Sequence, residues 1–416
     1  MNDSDMMSDR KRKNYEGEWY NCKRNGQGIL YYRNNQKKYE GLFKNDKRYG
    51  HGIQYFRSGL KKYEGDWVNN WRNGQGISYY EDGTKQYEGE WKNDNMDGQG
   101  TKYDEDGIIS YKGYYQNGKS DGNGVSYFSD GVKRYEGDHK NGDMNGQGIK
   151  YYRDGTKMYE GNWADDNYHG RGIMYYDNGI KEYEGNWIDG NMDGQGIKYY
   201  DDGIKEYEGN FKNGNMDGYG IKYYEDGTKM YEGDWVDDNN HGQGIMYYRN
   251  GIKMYEGNWA NDNYHDCGIM FYEDGTKMYE GNWINGDFIG QGIAYYKSGT
   301  KLYEGNYVDD EYDGLGIMYY EDGTKMREGR WANGDMNGDG IEYYEDGSKK
   351  YEGNWIDDCM NGYGIMYCKN GIKIYEGYWV DDYMDGHGIQ YCKDGHKKYE
   401  GFFKRGMPSG HGTHYY

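Results

Sequence analysis

A single sequence unit repeats along almost the entire chain at a constant interval, and this period constrains the fold more than any other feature. The unit that begins at Tyr159 reads YEGNWADDNYHGRGIMYYDNGIKE, and the unit that follows it at Tyr183 reads YEGNWIDGNMDGQGIKYYDDGIKE. The chain contains sixteen complete repeats from Tyr15 to Lys398 and a shortened seventeenth from Tyr399 to Tyr416. A fixed period of this length is typical of repeat proteins, in which each unit packs mainly on its neighbours.

The pattern inside one repeat, whose positions we number 1 to 24, predicts two β-strands. Positions 1–5 read Tyr-Glu-Gly-x-Trp and positions 13–18 read Gln-Gly-Ile-x-Tyr-Tyr, and both alternate as strands do. Positions 7–12, as in residues 93–98, are polar and end in glycine, which predicts a loop. Positions 19–21, as in residues 81–83, predict a tight turn. Each repeat is therefore predicted to be a β-hairpin, and no helical period occurs.

The variable positions 16 and 24 indicate the register across this turn. Methionine at one position accompanies methionine at the other, as at Met246 and Met254, and opposite charges pair, as at Glu342 and Lys350. A three-residue loop with a left-handed glycine at its third position would set positions 16 and 24 opposite each other. This register predicts an aromatic face formed by positions 1, 3, 5, 15 and 17, in which the glycine at position 3 is the spacer that lets the tyrosine and tryptophan rings approach each other. Positions 2, 4, 16, 18 and 24 are expected on the opposite, more polar face.

The composition supports stacking of these hairpins. The chain has 56 Tyr and 12 Trp, whose rings supply most of the area that can be buried. A single hairpin cannot bury its aromatic face alone, but neighbouring hairpins can cover each other. We therefore predict an all-β fold, an elongated single-layer antiparallel sheet of stacked 24-residue hairpins that forms a twisted, solenoid-like rod. Residues 15–416 are expected to be one continuous array, preceded by a disordered, charged tail at residues 1–14.

The charge and the cysteines restrict the partners and the location. A net charge of −21 disfavours nucleic acid and anionic lipid as partners of the repeats. No apolar run approaches the ~20 residues of a membrane span, and no secretory leader is apparent. Cys368 and Cys392 occupy equivalent positions in adjacent repeats, roughly 10 Å apart, which is too far for a disulfide. These features predict an intracellular protein, in the cytoplasm or at a membrane periphery or cytoskeletal structure.

No set of residues predicts catalysis, a cofactor or a metal site. The loop that begins at Asp189 resembles the start of a calcium loop, but its twelfth residue is Tyr200 instead of an acidic ligand. His241 and His265 are one repeat apart, which is too far to share a zinc ion. We therefore expect no metal, no cofactor and no enzymatic activity.

Methionines are the strongest candidates for a functional surface. At positions 16 and 24 they recur on the face predicted to be polar, and exposed methionine surfaces suit partner binding. The alternative is that this face curls inward, so that the methionines are packed. The candidate partner-binding residues are Met246, Met254, Met270, Met278, Met318, Met326 and Met366.

The repeat resembles the MORN (membrane occupation and recognition nexus) repeat. The resemblance rests on Tyr-x-Gly-x-Trp followed by Gly-x-Gly, as in residues 87–91 and 98–100, and on the Asp-Gly turn. It extends over residues 15–416, although each unit here is one residue longer than is usual in the family. Individual repeats depart from the pattern at Asn35, Lys112, His139, Asp266 and Arg327.

The resemblance implies an array of hairpins used for assembly, dimerisation or tethering of partners. The sequence therefore predicts a non-enzymatic scaffold that mediates protein–protein interaction, self-association or tethering. The protein partner is not specified, and a homo-oligomer is compatible with the pattern. The alternative is a peripheral membrane module that binds anionic phospholipid, which the family name suggests and the acidic charge disfavours.

Overall fold

The computed structural model describes residues 13–416. The tail predicted at residues 1–14 lies outside this range except for its last two residues. All regular structure in the described range is β-strand, which confirms the all-β prediction. None of the described residues belongs to a helix long and apolar enough to cross a membrane. The chain divides into two compact units, one ending at Gly203 and the other beginning at Ile204.

The first unit contains sixteen strands, and each pairs antiparallel with the next along the chain. They are β1 (Tyr15–Tyr20), β2 (Lys23–Tyr31), β3 (Lys37–Lys44), β4 (Lys47–Tyr55), β5 (Lys61–Val68), β6 (Trp71–Tyr79), β7 (Lys85–Lys92), β8 (Asn95–Tyr103), β9 (Ile109–Gln116), β10 (Lys119–Tyr127), β11 (Lys133–Lys140), β12 (Asp143–Tyr151), β13 (Lys157–Ala164), β14 (Asn167–Tyr175), β15 (Lys181–Ile188) and β16 (Asn191–Tyr199).

The second unit contains eighteen strands that pair in the same way. They are β17 (Lys205–Lys212), β18 (Asn215–Tyr223), β19 (Lys229–Val236), β20 (Asn239–Tyr247), β21 (Lys253–Ala260), β22 (Asn263–Phe271), β23 (Lys277–Ile284), β24 (Asp287–Tyr295), β25 (Lys301–Val308), β26 (Glu311–Tyr319), β27 (Lys325–Ala332), β28 (Asp335–Tyr343), β29 (Lys349–Ile356), β30 (Cys359–Tyr367), β31 (Lys373–Val380), β32 (Tyr383–Tyr391), β33 (Lys397–Lys404) and β34 (Met407–His414).

The turn inside each repeat is shorter than predicted. In the repeat of Tyr159, Ala164 pairs with Asn167, so only Asp165 and Asp166 form the turn. Their φ angles are 47° and 67°, the two positive values that a type I′ hairpin turn requires. Aspartate, asparagine and glycine at positions 7 and 8 accept this conformation readily. The prediction that positions 7–12 form a loop is therefore wrong, because positions 9–12 already belong to the second strand.

The turn between repeats matches the prediction. The amide of Tyr176 donates to the carbonyl of Ile180 at 2.9 Å, and the amide of Gly179 donates back to the carbonyl of Tyr176 at 3.0 Å. Gly179 has a φ of 83°. This is the three-residue loop with a left-handed glycine at its third position.

A β-bulge directly after this turn changes the register. Tyr175 pairs with Lys181, but Met174 pairs with Tyr183 and not with the intervening residue at position 24. Both position 24 and the next tyrosine therefore oppose position 16, as in a β-bulge. The predicted pairing of positions 16 and 24 is wrong as a strand pairing, although their side chains still meet: Lys350 Nζ lies 3.1 Å from Glu342 Oε1.

Because of this bulge, the side chains of the second strand lie on different faces from those predicted. Residues directly opposite in an antiparallel pair share a face, and Tyr159 is paired with Met174 while Glu160 is paired with Ile173. Position 16 therefore lies on the aromatic face with positions 1, 3 and 5. Positions 15 and 17 lie on the opposite face with position 2. The prediction had these second-strand positions reversed, because it did not include the extra residue of the bulge.

One repeat keeps this fold with a different core residue. Arg327 replaces the tyrosine at position 1, and Met336, with 0% of its surface exposed, fills the vacated space. A methyl group added to Gly340 would lie 2.0 Å from Met336 Cε, where other repeats place the tyrosine hydroxyl. A side chain from the facing strand thus fills the core position that the missing tyrosine would occupy.

Candidate functional site

The aromatic face is a series of perpendicular rings, which is interrupted in the second unit where Arg327 replaces a tyrosine. Tyr159 lies 5.1 Å from Trp163 of its own repeat, with ring planes at 81°. Trp163 also lies 5.4 Å from Tyr135 of the preceding repeat, with ring planes at 88°. Such edge-to-face contacts add about 0.5–1.5 kcal/mol each beyond the buried area. The face therefore binds neighbouring repeats together while forming one surface of the sheet.

Glycine makes room for these rings. A Cβ on Gly172 would lie 2.1 Å from the hydroxyl oxygen of Tyr159, so the tyrosine ring rests directly on this backbone. A Cβ on Gly161, the residue paired with Gly172, would lie 2.4 Å from the Gly172 Cα. The predicted role of the position 3 glycine as a spacer is confirmed, and position 14 shares it.

Polar atoms of the rings are satisfied inside the sheet. Trp163 Nε1 donates to the carbonyl of Gly148 at 3.3 Å, and the Tyr159 hydroxyl donates to the carbonyl of Asn162 at 3.0 Å. Burial raises the pKa of the Tyr159 phenol and raises that of Tyr111 to about 12. These groups are neutral and structural, so they offer no acid or base near pH 7.

The seven candidate methionines lie on this aromatic face and not on the polar one. Each is half-buried at position 16 or 24. The hydroxyl of Tyr264, for example, contacts Met254 Sδ at 3.9 Å. The methionines therefore flank the ring series. Their partner-binding role remains a prediction.

Aromatic residues at position 10 extend the same surface, and the sequence analysis did not identify them. Phe288 stacks on Tyr279 with centroids 3.9 Å apart and ring planes at 18°. Equivalent stacks involve Tyr168, Tyr264 and Tyr312. Large side chains recur at position 10 of the sequence, but the polar pattern of positions 7–12 predicts a loop there. With the shorter turn, it becomes a strand position on the aromatic face.

A groove opens on this face where position 16 is small. Ala294 takes the place of a methionine, and the groove of about 350 Å³ is lined by apolar side chains that include Met278, Phe288, Leu302 and Tyr312. Alanine leaves space that a methionine would fill, since a missing side chain in a packed surface leaves a void. The arrangement can accept an apolar side chain.

The groove also carries polar features. Tyr307, which replaces the tryptophan at position 5, is 2% exposed and its hydroxyl has no hydrogen-bond partner in the described structure. Tyr115 carries the same replacement and the same unpartnered hydroxyl. Only Tyr307 of the two lines this groove, together with the carboxylates of Asp310 and Glu311. The groove therefore combines an apolar floor, one orphan hydroxyl and an acidic rim.

The opposite face is a ladder of ion pairs. Lys229 Nζ lies 2.7 Å from Glu232 Oε2, and the Tyr247 hydroxyl donates to the same carboxylate at 3.4 Å. The hydrogen bond from Lys229 holds the pKa of Glu232 below its usual value. A carboxylate occupied in this way is a poor proton donor or acceptor at neutral pH. Exposed pairs of this kind contribute about 0–1 kcal/mol each.

In the described part of the chain, the histidines and acidic loops do not form a cluster of potential metal ligands. Among residues 13–416, no group of three or more His, Cys, Asp and Glu side chains is arranged to hold a metal ion. His169 Nδ1 lies 3.8 Å from Asp189 Oδ1, an exposed pair between neighbouring repeats. The five cysteines are unpaired thiols.

Comparison with protein families gives two matches. The MORN repeat family matches twelve segments, which are residues 15–37, 39–61, 63–85, 87–108, 111–133, 135–157, 159–181, 183–205, 207–229, 231–253, 375–397 and 399–416. The family described as periplasmic copper-binding protein (NosD) matches residues 243–385. This span continues the same sequence period and its hairpins from β21 to β31. No curated protein sequence matches the chain.

Among solved structures, this chain spans about a quarter of the length of two chains to which it is similar. The crystal structure of TcdB2-TccC3-Cdc42 is 8% identical, with a TM-score of 0.13, and the match covers 88% of this chain and 23% of that one. The crystal structure of TcdB2-TccC3 without the hypervariable C-terminal region is 10% identical, with a TM-score of 0.15, and the match covers 88% and 24%.

Proposed function

This chain belongs to the MORN repeat family, and from that premise we propose that it is a non-enzymatic scaffold that binds a protein partner through its aromatic face. The observation that carries the proposal is the groove around Ala294, which has an apolar floor on the aromatic face. Each repeat presents a similar surface, so several weak contacts can add up to a stable complex.

The chemistry of the groove defines the partner. Apolar side chains of a partner would replace water on Met278, Phe288 and Leu302, which is favourable by about 25 cal/mol per Å² buried. The carboxylates of Asp310 and Glu311 on the rim favour lysine or arginine beside those apolar residues. We therefore propose a basic amphipathic segment as the partner, held intracellularly where the five thiols stay reduced.

A labelled peptide of leucine and lysine in amphipathic order tests this proposal. Ala294→Lys places a long cation in the groove, so we expect at least tenfold weaker binding by fluorescence anisotropy. Leu315→Lys is the matched control, because Leu315 is 67% exposed and paired with Arg330 on the opposite face. Equal affinity for Ala294→Lys and the control would refute the groove as the binding site.

Self-association through the methionines is tested separately. The combined replacement of four position 16 methionines by lysine should abolish any concentration-dependent increase in mass seen by light scattering. The residues are Met246, Met270, Met318 and Met366. An unchanged dependence of mass on protein concentration would show that these methionines do not mediate self-association.

A second candidate function, peripheral membrane binding, is favoured by the distribution of charge. Residues 15–62 carry eleven Lys and Arg against four Asp and Glu, although the whole chain has a net charge of −21. Such a basic segment attracts anionic lipid by roughly 1 kcal/mol per cation near the surface. Flotation with phosphatidylserine vesicles at low and physiological salt distinguishes this function from the scaffold, which predicts no bound fraction.

A further inference from the structure

Three consecutive repeats near the start of the array carry arginine at position 10. These residues, Arg24, Arg48 and Arg72, lie on the aromatic face where most later repeats carry methionine or an aromatic ring. The guanidinium carbon of Arg48 lies 3.9 Å from the ring centroid of Trp67, and that of Arg72 lies at the same distance from Trp91. An indole ring therefore holds the guanidinium group of both Arg48 and Arg72.

Two of the three arginines have a carboxylate partner from position 8 of the next repeat. Arg24 Nε donates to Asp46 Oδ1 at 3.1 Å, and Arg72 Nε donates to Asp94 Oδ1 at 3.2 Å. Each arginine also donates to the backbone carbonyl of the same aspartate. This is the arrangement that the repeat uses to neutralise a cation on the aromatic face.

Arg48 lacks that carboxylate because position 8 of the next repeat is Asn70. Arg48 Nη2 still donates to the Asn70 backbone carbonyl at 2.9 Å, but the neutral carboxamide accepts only from the Arg48 backbone amide, at 2.8 Å. Among the described residues, no carboxylate lies within ion-pair distance of Arg48. Burial, the largest effect, lowers the pKa of this guanidinium. A partly buried cation without a paired anion is unfavourable unless an anion from outside the chain pairs with it.

Arg48 faces a cavity of about 450 Å³ between the repeats of Tyr39 and Tyr63. Side chains with hydrogen-bond donors surround it, namely Arg48, Gln54, Lys62, Arg72, Ser78 and Gln86. Of the two carboxylates in its lining, Asp94 is bound by Arg72, and Glu81 belongs to an exposed turn. The rings of Tyr63 and Trp67 form part of the wall.

We propose that this cavity is a binding site for a phosphate monoester, with Arg48 as its principal charge partner. A phosphate monoester carries about −1.5 to −2 charges at neutral pH, which matches the two cations of this lining, Arg48 and Lys62, that form no ion pair with a described carboxylate. The planar fork of arginine can bind two phosphate oxygens at once, and stacking on Trp67 holds that fork in position. The organic group of the ester would lie against the aromatic wall. The phosphate group could belong to a soluble metabolite or to a lipid headgroup.

Substitution of Asn70 tests the site without removing any of its cationic groups. Asn70→Asp supplies the missing internal carboxylate, so it should weaken the binding of phenyl phosphate at least tenfold in calorimetry of the full-length protein. Asn69→Asp is the matched control, because it adds the same charge at the adjacent exposed turn residue and should change the affinity less than about twofold. Arg48→Gln should weaken binding as much as Asn70→Asp. Thermal unfolding should show that Asn70→Asp is at least as stable as the native protein.

Vesicles distinguish the two sources of the phosphate group. Phosphatidic acid exposes a phosphate monoester, whereas phosphatidylserine at equal charge does not. Preference for phosphatidic acid that is lost in Asn70→Asp would assign the site to a lipid headgroup, and phenyl phosphate binding without that preference would assign it to a soluble ester. No binding of either probe, or binding that Asn70→Asp leaves unchanged, would overturn the proposal. The groove at Ala294 is not affected by these variants, so the two proposals fail independently.

Discussion

Arg327 donates a hydrogen bond of 2.7 Å to the carboxylate of Asp358, across the boundary between two repeats. In the other complete repeats, position 1 holds a tyrosine whose ring lies on the glycines of its own hairpin. The arginine instead reaches toward the next turn, and Met336 occupies the space beneath it. One ion pair and one methionine thus replace one buried ring.

The burial of Met336 predicts an unusually large effect of its removal. Met336→Ala should destabilise the second unit by about 2–5 kcal/mol, because a fully buried side chain is lost and no tyrosine is present to fill the cavity. Met360→Ala is the control, since Met360 occupies the same position in the next repeat but is only half-buried beside a native tyrosine. Urea unfolding would measure both. Equal losses for the two variants would contradict the exchange of core residues.

Gly172 should not tolerate any side chain. Gly172→Ala would place a Cβ at 2.1 Å from the Tyr159 hydroxyl oxygen, so the ring must move out of its position on the backbone. We expect a loss of roughly 1–3 kcal/mol and increased amide hydrogen exchange in β13 and β14. Arg171→Ala, a neighbouring exposed substitution, should leave the exchange of these strands unchanged. Preserved protection in Gly172→Ala would show that the ring does not depend on the glycine.

His139 should make the stability of the first unit depend on pH in the acidic range. It replaces a tryptophan, is 8% exposed and contacts the rings of Tyr111 and Tyr135 at centroid distances of 5.0 Å. Burial lowers its pKa, so the folded state binds a proton less readily than the unfolded state. Stability should therefore be complete above the ordinary histidine pKa of about 6.5 and decrease as pH falls below it, by at most about 1.4 kcal/mol per pH unit.

The comparison of His139→Trp with the native protein measures this effect. The urea midpoint of the native chain should fall more between pH 7.5 and pH 5 than that of the variant, because the variant has no titrating group at this core position. The carboxylates are common to both proteins and their contribution cancels. Parallel pH profiles would exclude a role for His139.

The core tyrosines predict the behaviour at alkaline pH. Burial raises the pKa of Tyr111 to about 12 and raises the pKa of Tyr159 above its ordinary value. Because these folded-state values exceed the unfolded value of about 10, stability should be complete below pH 10 and decrease as pH rises further. Absorbance at 295 nm should show a late, cooperative ionisation that coincides with unfolding. In urea the same tyrosines should titrate near pH 10.

The sequence predicted the hairpins, the loop between repeats and the spacer glycine because these depend on local patterns. Gly179 at the third turn position requires a left-handed conformation, and the structure has it. Two departures from the repeat pattern keep a left-handed backbone where other repeats have glycine: Asn35, at this turn position, has a φ angle of 61°, and Asp266, at position 12, has a φ angle of 51°. Both residue types tolerate this region, so these repeats keep their strands.

The faces could not be assigned from the same patterns. The correlation between positions 16 and 24 correctly indicated proximity, as Glu342 and Lys350 show, but proximity does not distinguish a direct pair from a bulge. One extra residue reverses the side on which every later residue lies. The shorter turn was detectable, since Asn117-Gly118 and Asp189-Gly190 are preferred type I′ sequences. The arginine–aspartate pairs depend on contacts 22 residues apart, which become apparent only once the turn positions are fixed.

The bulge at position 24 has a consequence for how such a protein can change in length. It restores the same alignment at the start of every repeat, so the deletion or duplication of one whole repeat would leave each remaining strand facing an equivalent neighbour. An insertion of a single amino acid inside a strand would instead move every later side chain of that strand to the opposite face of the sheet. Recombination between repeats can therefore lengthen or shorten this protein one hairpin at a time without redesigning any interface.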